Sequence, residues 1–382
     1  MKGTSTEGAT QPSRAIAVDE LREMLQAGRP INVLDVRTAP EREEWSIPGS
    51  VHVDAYHALR AGDLDTLSDL DLPRDVPVVA VCGAGKTSMI AAQYLAAQGY
   101  EAHSLQGGMR AWSLAWNTAE VPLPIEDVQV AQVRRTGKGC LSYIIGSDNE
   151  ASVIDASLPP EVYVEIAAKH GWRINHALDT HIHADHLSRT RQLAEVTGAT
   201  LWLPKNERVS FPYRSLSDGD VLDFGKARLA VLGTPGHTPE SACYLLNGLA
   251  LFTGDTLFLT GVGRPDLEAT PDEATARARL LWRSLQRLLS LPADTAILPG
   301  HTSEPVPFDQ VTLSAPLSEV KQKVRMLAAL GASESQFVEE LLARIPAAPP
   351  NHRRIVTANE TGRWPDVDPI ELEAGANRCA VS

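Results

Sequence analysis

Four side chains that can bind metal lie within six consecutive residues, His181-Ile182-His183-Ala184-Asp185-His186. In an extended loop, His181 and His183 project to the same side and can contact one cation, while Asp185 and His186 at the turn can contact a second. Imidazole and carboxylate ligands together suit zinc, iron or manganese and do not suit calcium. The segment therefore predicts a transition-metal site.

Three later segments share one pattern, in which a potential ligand follows an apolar strand at a turn that contains glycine. Glycine lets the backbone turn sharply, so that the ligand can face a cleft. These segments are Gly233-Thr234-Pro235-Gly236-His237, Phe252-Thr253-Gly254-Asp255 and Leu298-Pro299-Gly300-His301. We predict that they join the first segment in one metal pocket, whereas the isolated histidines elsewhere are expected to be ordinary polar residues.

The composition limits the partners of the chain. Among 382 residues, 48 acidic and 35 basic side chains give a formal charge of −13, which opposes binding to nucleic acid or to an anionic membrane. No run of about 18 apolar residues predicts a membrane span, and residues 1–13 are expected to be a flexible tail without a secretory signal. The four cysteines are scattered without a CxxC pair, which predicts a reducing, cytoplasmic location.

The order of predicted elements divides the chain into two units. In residues 14–117, strands at 31–36 and 76–81 and a helix at 87–98 predict a parallel α/β sheet with helices on both faces. Residues 118–125 contain two prolines and are predicted to be a linker. Residues 126–382 form the second predicted unit, with short strands at 140–145, 152–155, 228–232, 242–246 and 249–253 and helices at 161–170 and 272–291.

The order HxHxDH, PGH, TGD and PGH in residues 121–301 resembles the metallo-β-lactamase superfamily. The resemblance implies an αββα sandwich whose metal cleft lies at the loop ends of two sheets. Two branches then compete. Glyoxalase II hydrolyses a glutathione thioester at a two-metal centre that uses all seven ligand positions. Persulfide dioxygenases use one iron, held by two histidines and one aspartate, and leave positions open for O2 and the persulfide sulfur.

All seven ligand types are present, so ligand identity leaves both branches open. The stretch Gly261-Val262-Gly263-Arg264-Pro265-Asp266 resembles the GxGRxD stretch of persulfide dioxygenases, with Pro265 where many members have threonine. Residues 139–147 and 349–355 also resemble the bacterial members. The hypothesis is therefore one Fe(II) per chain, and the alternative is a hydrolase with two zinc ions.

The dioxygenase resemblance assigns the iron ligands to His181, His237 and Asp255. Arg264 would contact the anionic end of the substrate, or would pair with Asp266 to brace its loop. The remaining ligand types would hydrogen-bond around the pocket or hold a second metal; they are His183, Asp185, His186 and His301.

A second candidate site is the loop Cys82-Gly83-Ala84-Gly85-Lys86-Thr87-Ser88, which lies between a predicted strand and a predicted helix. A phosphate-binding loop would need glycine at position 80, where this chain has Ala80, and no acidic strand for Mg²⁺ is evident. A cysteine ringed by backbone N–H groups at a helix N-terminus could instead stabilise a persulfide anion.

The segments around this loop resemble the landmarks of rhodanese domains in order and spacing. They are Leu34-Asp35-Val36-Arg37, Ile47-Pro48-Gly49-Ser50 and Gly107-Gly108-Met109-Arg110-Ala111-Trp112. The resemblance covers residues 16–116 and implies that Cys82 carries sulfane sulfur, with Lys86 and Thr87 contacting the substrate. Thr87 stands where rhodanese domains usually have arginine, and lysine lacks the bidentate fork that suits thiosulfate, so thiosulfate is expected to be a poor donor.

The two resemblances thus imply two sulfur-handling units that act on a small persulfide or thiol, and a homo-oligomer is a further expectation. The alternative for Cys82 is an inert buried thiol. Cys140 and Cys243 lie in apolar strands and are expected to be core residues, whereas Cys379 has exposed-looking surroundings and could be a surface residue or reach the metal pocket.

Overall fold

The computed structural model describes residues 14–329, 331, 333–364, 366–373 and 377–382, so the predicted tail at 1–13 lies outside the described residues. The chain divides into two compact units, Met1–Asn117 with Pro305–Asp309 and Thr118–Glu304 with Gln310–Ser382. Among the described helices, none combines the length and the apolar composition needed to cross a lipid bilayer.

The first unit is built on a parallel sheet with the strand order β1-β5-β4-β2-β3. Its strands are β1 (Arg14–Ile16), β2 (Asn32–Asp35), β3 (Val51–His52), β4 (Val78–Val81) and β5 (Ala102–Leu105). Its helices are α1 (Val18–Gln26), α2 (Ala39–Glu44), α3 (Tyr56–Ala61), a 3₁₀ turn (Asp65–Leu67), α4 (Lys86–Ala97) and α5 (Gly108–Trp112). The central strand β4 is buried along its whole length, as a parallel strand with both faces covered should be. The predicted parallel α/β unit is confirmed.

The second unit contains two large sheets and a small strand pair. The first sheet has the order β12-β11-β10-β9-β8-β7-β6 and consists of β6 (Asn117–Glu120), β7 (Val128–Arg135), β8 (Cys140–Ser147), β9 (Glu150–Ile154), β10 (Arg173–Leu178), β11 (Thr200–Pro204) and β12 (Arg214–Leu216). The second has the order β13-β14-β15-β16-β18-β19 and consists of β13 (Val221–Phe224), β14 (Ala227–Gly233), β15 (Ala242–Leu246), β16 (Ala250–Gly254), β18 (Ala296–Pro299) and β19 (Ala315–Pro316). The pair is β17 (Val262–Gly263) with β20 (Ala380–Val381).

The helices of this unit are α6 (Pro160–Lys169), α7 (Thr190–Thr197), α8 (Pro271–Leu288), α9 (Leu317–Lys323), α10 (Arg325–Ala329), α11 (Glu334–Ala343), α12 (His352–Thr361) and α13 (Pro369–Leu372). The two large sheets bury a shared core in which the rings of Tyr143 and Phe252 lie 4.8 Å apart. Leu281 and Leu285 of α8 pack on the other side of the second sheet, against Leu251. The predicted sandwich is confirmed, although the expected linker at 118–125 begins as part of edge strand β6.

The topology brings the predicted metal-binding segments to one edge of this sandwich. Residues 181–186 follow β10, His237 follows β14, Asp255 follows β16 directly, and His301 lies two residues after β18. Side chains that are far apart along the chain therefore meet at the loop ends of the two sheets.

Candidate metal centre

Three donor atoms converge in a buried position. Asp255 Oδ2 lies 3.8 Å from His181 Nε2 and 3.7 Å from His237 Nε2. One cation about 2.1 Å from each atom could span such distances. None of these three atoms has a hydrogen-bond partner among the described residues, although each is buried. Buried polar atoms are rarely left in that state, so the three side chains fit a metal ion.

The other polar atom of each of these side chains is held by the protein. His181 Nδ1 donates to Thr180 Oγ1 at 2.9 Å, and Thr180 Oγ1 donates to Asp155 Oδ2 at 2.9 Å. His237 Nδ1 donates to the carbonyl oxygen of Arg264 at 2.8 Å. These contacts fix the ring orientations and leave both Nε2 lone pairs for a metal, which is the usual outer-shell arrangement around ligating histidines.

The ionisation states of these three side chains suit a cation. Burial and the neighbouring His183 hold the pKa of His181 well below its ordinary value, and burial likewise lowers the pKa of His237. Burial opposes ionisation of Asp255, but His301 and His181 outweigh it and lower its pKa. Two neutral imidazoles and a carboxylate therefore face the same point, in the forms that bind metals.

The members of a second group of possible ligands mostly contact one another. It consists of Cys140, Asp185, His186 and His301. His301 lies between two carboxylates, with Nδ1 2.6 Å from Asp255 Oδ1 and Nε2 2.8 Å from Asp185 Oδ2. Burial would lower the pKa of His301, but those two carboxylates raise it well above its ordinary value. Two buried nitrogens of this group, His186 Nε2 and His301 Nε2, nevertheless have no hydrogen-bond partner among the described residues, so the approach of His301 Nε2 to Asp185 is an ion-pair contact only.

Cys140 is buried, as expected for a core residue, but it lies at this metal pocket. Its Sγ is 3.6 Å from Asp185 Oδ2 and 3.9 Å from His186 Nδ1. Burial and Asp185 oppose ionisation of the thiol, yet His186 and His301 together lower the pKa of Cys140 to about 6.

His183 belongs to a third group of possible ligands, together with Asp155 and Asp179. Its Nε2 lies 3.2 Å from Asp155 Oδ1 and 3.7 Å from Asp179 Oδ1. Burial would lower the pKa of His183, but Asp155 raises it well above its ordinary value. The rings of His181 and His183 are 4.2 Å apart, so His183 lies beside the first donor group.

Distant segments hold the loop that carries residues 181–186. Asn359 of α12 donates to the carbonyl oxygens of His183 and His186 at 2.8 and 2.9 Å. Glu373 accepts from the backbone N–H of Leu187 at 2.7 Å and pairs with Arg135 and Arg189. The loop geometry therefore depends on contacts with residues near the end of the chain.

Arg264 uses all five of its N–H donors on the protein. The guanidinium pairs with Asp266 and donates to the carbonyl oxygens of Pro346, Ala347 and Arg378. Because no donor remains for a substrate, this structure favours the bracing role over substrate contact.

Of the two alternatives left open for Cys379, the structure favours the metal pocket, because the thiol is buried. It interacts with the Asp255 carboxylate and lies near Asp185 and His301. Burial and Asp255 raise the pKa of Cys379 well above its ordinary value, so the side chain stays a neutral thiol beside the carboxylate.

In the first unit, Cys82 is buried at the end of β4, directly before the loop that leads into α4. Ser88 Oγ donates to its Sγ at 3.2 Å, and the carbonyl oxygen of Cys82 accepts from Met109 N at 2.8 Å. Of the two residues predicted to contact the substrate, Lys86 is exposed and Thr87 is buried. Exposed Lys86 is free to meet an anionic donor, whereas Thr87 packs inside the unit.

Sequence reasoning missed several residues of the metal centre, among them Asp155, Thr180, Asn359 and Asn377. Asp155 has a left-handed backbone with φ of 56°, which is uncommon for a residue other than glycine. Such strain persists where surrounding contacts hold it, and here the carboxylate bonds to the backbone N–H and hydroxyl of Thr180. Its position at the end of a buried strand was the only sequence signal.

Comparisons with known proteins agree with this architecture. The model for the metallo-β-lactamase superfamily matches residues 135–301, and the model for the rhodanese-like domain matches residues 17–115. A hydroxyacylglutathione hydrolase of Brucella anthropi is 35% identical over 200 residues, which are 50% of this chain and 74% of that protein. One of Rhizobium meliloti is 42% identical over 136 residues, which are 35% of this chain and 50% of that protein.

Two solved structures are also similar. A metallo-β-lactamase from Staphylococcus aureus subsp. aureus COL has a TM-score of 0.57 at 28% identity and covers 62% of this chain and 74% of its own. ETHE1 from Myxococcus xanthus has a TM-score of 0.53 at 30% identity and covers 60% of this chain and 97% of its own. The chain belongs to the metallo-β-lactamase superfamily, whose homologous members are enzymes and mostly hydrolases, and it carries a rhodanese-like domain before that fold.

Proposed function

We propose that the chain is a persulfide dioxygenase that converts a low-molecular-weight persulfide, O2 and water into a thiol and sulfite. The observation that carries the proposal is the convergence of three donor atoms in the first group. His181, His237 and Asp255 direct unpartnered atoms at one point, and two imidazoles with one carboxylate form the ligand set of non-haem iron oxygenases. The resemblance of residues 261–266 to the dioxygenase branch supports the same assignment.

His301 supports one metal per chain rather than two. A second cation near Asp185 and Asp255 would compete with the His301 ring, which both carboxylates already contact. Asp185 Oδ2 also accepts from Asn377 Nδ2 at 3.1 Å, so its bonding capacity is largely used.

Bound ferrous iron would supply open coordination positions and the redox chemistry between O2 and the persulfide sulfur. The part of this chain is to hold the ligands and to exclude bulk water. His181, His237 and Asp255 are buried, and a cavity borders His181 and His183. This cavity also contacts Phe211 and Trp364, and we propose that it receives the organic part of the thiol carrier.

We further propose that Cys82 carries sulfane sulfur, which would be exchanged with the persulfide used at the metal centre. A strand-end cysteine that is followed by a helix supports this role, as does the match to the rhodanese-like domain. The covalent fusion of the two units would raise the effective concentration of one site for the product of the other.

A thioester hydrolase with two zinc ions is the second candidate. It is favoured by the two relatives named hydroxyacylglutathione hydrolase, by the complete set of seven ligand types and by the unpartnered Nε2 atoms of His186 and His301. Under this hypothesis the rhodanese-like unit would not serve the metal reaction.

Metal analysis together with two activity assays separates these functions. We expect about one iron per chain, O2 uptake with a persulfide, and no cleavage of a glutathione thioester. His237→Ala should abolish both metal retention and O2 uptake, whereas His170→Ala, which changes a partly exposed histidine of the same unit, should leave both intact. Two zinc ions per chain with thioester cleavage would refute the dioxygenase proposal.

A further inference from the structure

The segment 377–382 lies directly against the loop that follows Asp255. Strand β20 pairs with β17, with Val262 opposite Val381 and Gly263 opposite Ala380. The backbone N–H of Arg264 extends this ladder by donating to the carbonyl oxygen of Cys379 at 3.0 Å. The segment is therefore ordered by backbone hydrogen bonds in addition to side-chain contacts.

Two glycines make this close approach possible. A Cβ atom on Gly261 would lie 2.5 Å from the carbonyl oxygen of Val381, and one on Gly263 would lie 2.0 Å from the carbonyl oxygen of Asp255. The same Cβ on Gly263 would be 2.9 Å from Cβ of His237. Residues 261–263 thus form a thin layer between the segment 377–382 and the predicted ligands.

Three contacts lead from this segment into the metal centre. Asn377 Nδ2 donates to Asp185 Oδ2 at 3.1 Å, and the Cys379 thiol interacts with the Asp255 carboxylate. The third contact is indirect: Arg264 Nη1 donates to the carbonyl oxygen of Arg378 at 3.1 Å, and the carbonyl oxygen of Arg264 accepts from His237 Nδ1.

The Asn377 side chain is also fixed at its other end. Its Oδ1 accepts from the backbone N–H of Cys379 at 2.9 Å, which leaves its N–H donors directed at Asp185. One short segment therefore reaches two carboxylates of the pocket through side chains, and a histidine of the pocket through Arg264.

We propose that the segment 377–382 is an integral part of the metal centre and that Asn377 and Cys379 are positioning residues for Asp185 and Asp255. His301 holds Oδ1 of Asp255 at 2.6 Å, and the hydrogen bond from the Arg264 N–H to the carbonyl oxygen of Cys379 keeps residue 379 next to the loop that follows Asp255. Loss of such outer-shell partners typically weakens metal binding about 10- to 100-fold. The proposal holds for iron and for zinc, so its test does not depend on the reaction catalysed.

The test uses the full chain loaded with Co²⁺, whose absorption spectrum reports ligand geometry. Cys379→Val and Asn377→Leu remove the polar contacts at similar volume, Cys379→Ser retains a donor, and Ser382→Ala changes an exposed residue of the same segment. Chelator competition should show about 10-fold weaker Co²⁺ binding and an altered spectrum for Cys379→Val and Asn377→Leu. Cys379→Ser and Ser382→Ala should bind like the wild type.

Thermal unfolding of the metal-free variants separates positioning from a general loss of structure. We expect the metal-free midpoint of each variant to stay near that of the wild type while Co²⁺ affinity falls. Unchanged affinity and spectrum in both Cys379→Val and Asn377→Leu would overturn the proposal. It would also be overturned if Cys379→Ser were as defective as Cys379→Val, or if the loss of affinity only followed a loss of metal-free stability.

Discussion

Replacing Glu373 with glutamine should strongly destabilise the second unit. The carboxylate is buried, with Oε2 2.7 Å from Arg135 Nη2 and 3.1 Å from Arg189 Nη2. Its Oε1 also accepts from the backbone N–H of Leu187, next to the predicted ligand loop. Glutamine can keep the last contact with its carbonyl oxygen, but it cannot neutralise the buried guanidinium of Arg135.

The size of the effect follows from the loss of this buried ion pair. Breaking a buried ion pair by removing one partner costs about 3–5 kcal/mol, because the remaining charge is left without compensation. For a unit of this size, such a loss should lower the midpoint of thermal unfolding by about 6–20 °C. A loss of that size would be a large share of the total stability of an ordinary domain.

The same residue predicts a pH dependence. Burial would raise the pKa of Glu373, but Arg135 and Arg189 outweigh it and lower the pKa to about 2 from the ordinary 4.5. A carboxyl with a depressed folded pKa stabilises the protein above its unfolded pKa, and that stability is lost as the pH falls from about 4.5 to about 2. The shift in pKa corresponds to about 3 kcal/mol of unfolding free energy. Glu373→Gln should lack this part of the stability that the wild type loses in acid.

Chemical denaturation at pH 7 and over the range from pH 5 to pH 3 measures both effects. The matched control is Glu165→Gln, which removes an exposed pair with Lys169 and should cost less than about 0.5 kcal/mol. The reasoning fails if Glu373→Gln unfolds at the same denaturant concentration as Glu165→Gln, or if its stability falls with acid as steeply as that of the wild type.

Three further variants test separate parts of the molecule. Thr180→Val removes the hydroxyl between His181 and Asp155 and should weaken metal binding about 10-fold by chelator competition; unchanged affinity would contradict the relay. Cys82→Ser should abolish the 32 Da mass gain on the first unit after persulfide treatment while metal content stays unchanged, and a retained gain would place the sulfur elsewhere. Phe308→Ala should destabilise the first unit by about 1–3 kcal/mol, because its ring packs 6.0 Å from that of Trp112; equal denaturation midpoints would refute this contribution.

Much of the architecture could be predicted because its signals are local. The buried run at β4, followed by a glycine-rich loop and an amphipathic helix, predicts a parallel α/β unit from a few neighbouring residues. In the second unit, the predicted strand at 242–246 has the same bounds as observed, and the helix predicted at 161–170 differs by one residue at each end. Local propensity and the spacing of apolar residues along the chain determine such elements, independently of the elements that they pack against.

The outer contacts of the metal centre could not be predicted in this way. Asp155 and Thr180 are separated by 25 positions, and Asn377 lies 192 positions from Asp185. The pairing of these residues depends on which strand edges and loops the topology brings together. Cys379 shows the same limit. The residues around it in the sequence are polar, yet its thiol is buried beside the metal pocket.

The sequence by itself determined the types and order of the predicted metal ligands, because these residues follow strands at turns that nearby residues define. It also determined the two-unit organisation and the strand-end position of Cys82. Only the tertiary structure decided which of these side chains direct their atoms at one point. It also decided which histidines pair with carboxylates and which distant residues fix the histidine rings. These properties depend on distances of a few ångströms between segments that are far apart along the chain, and one sequence contains no local signal for such distances.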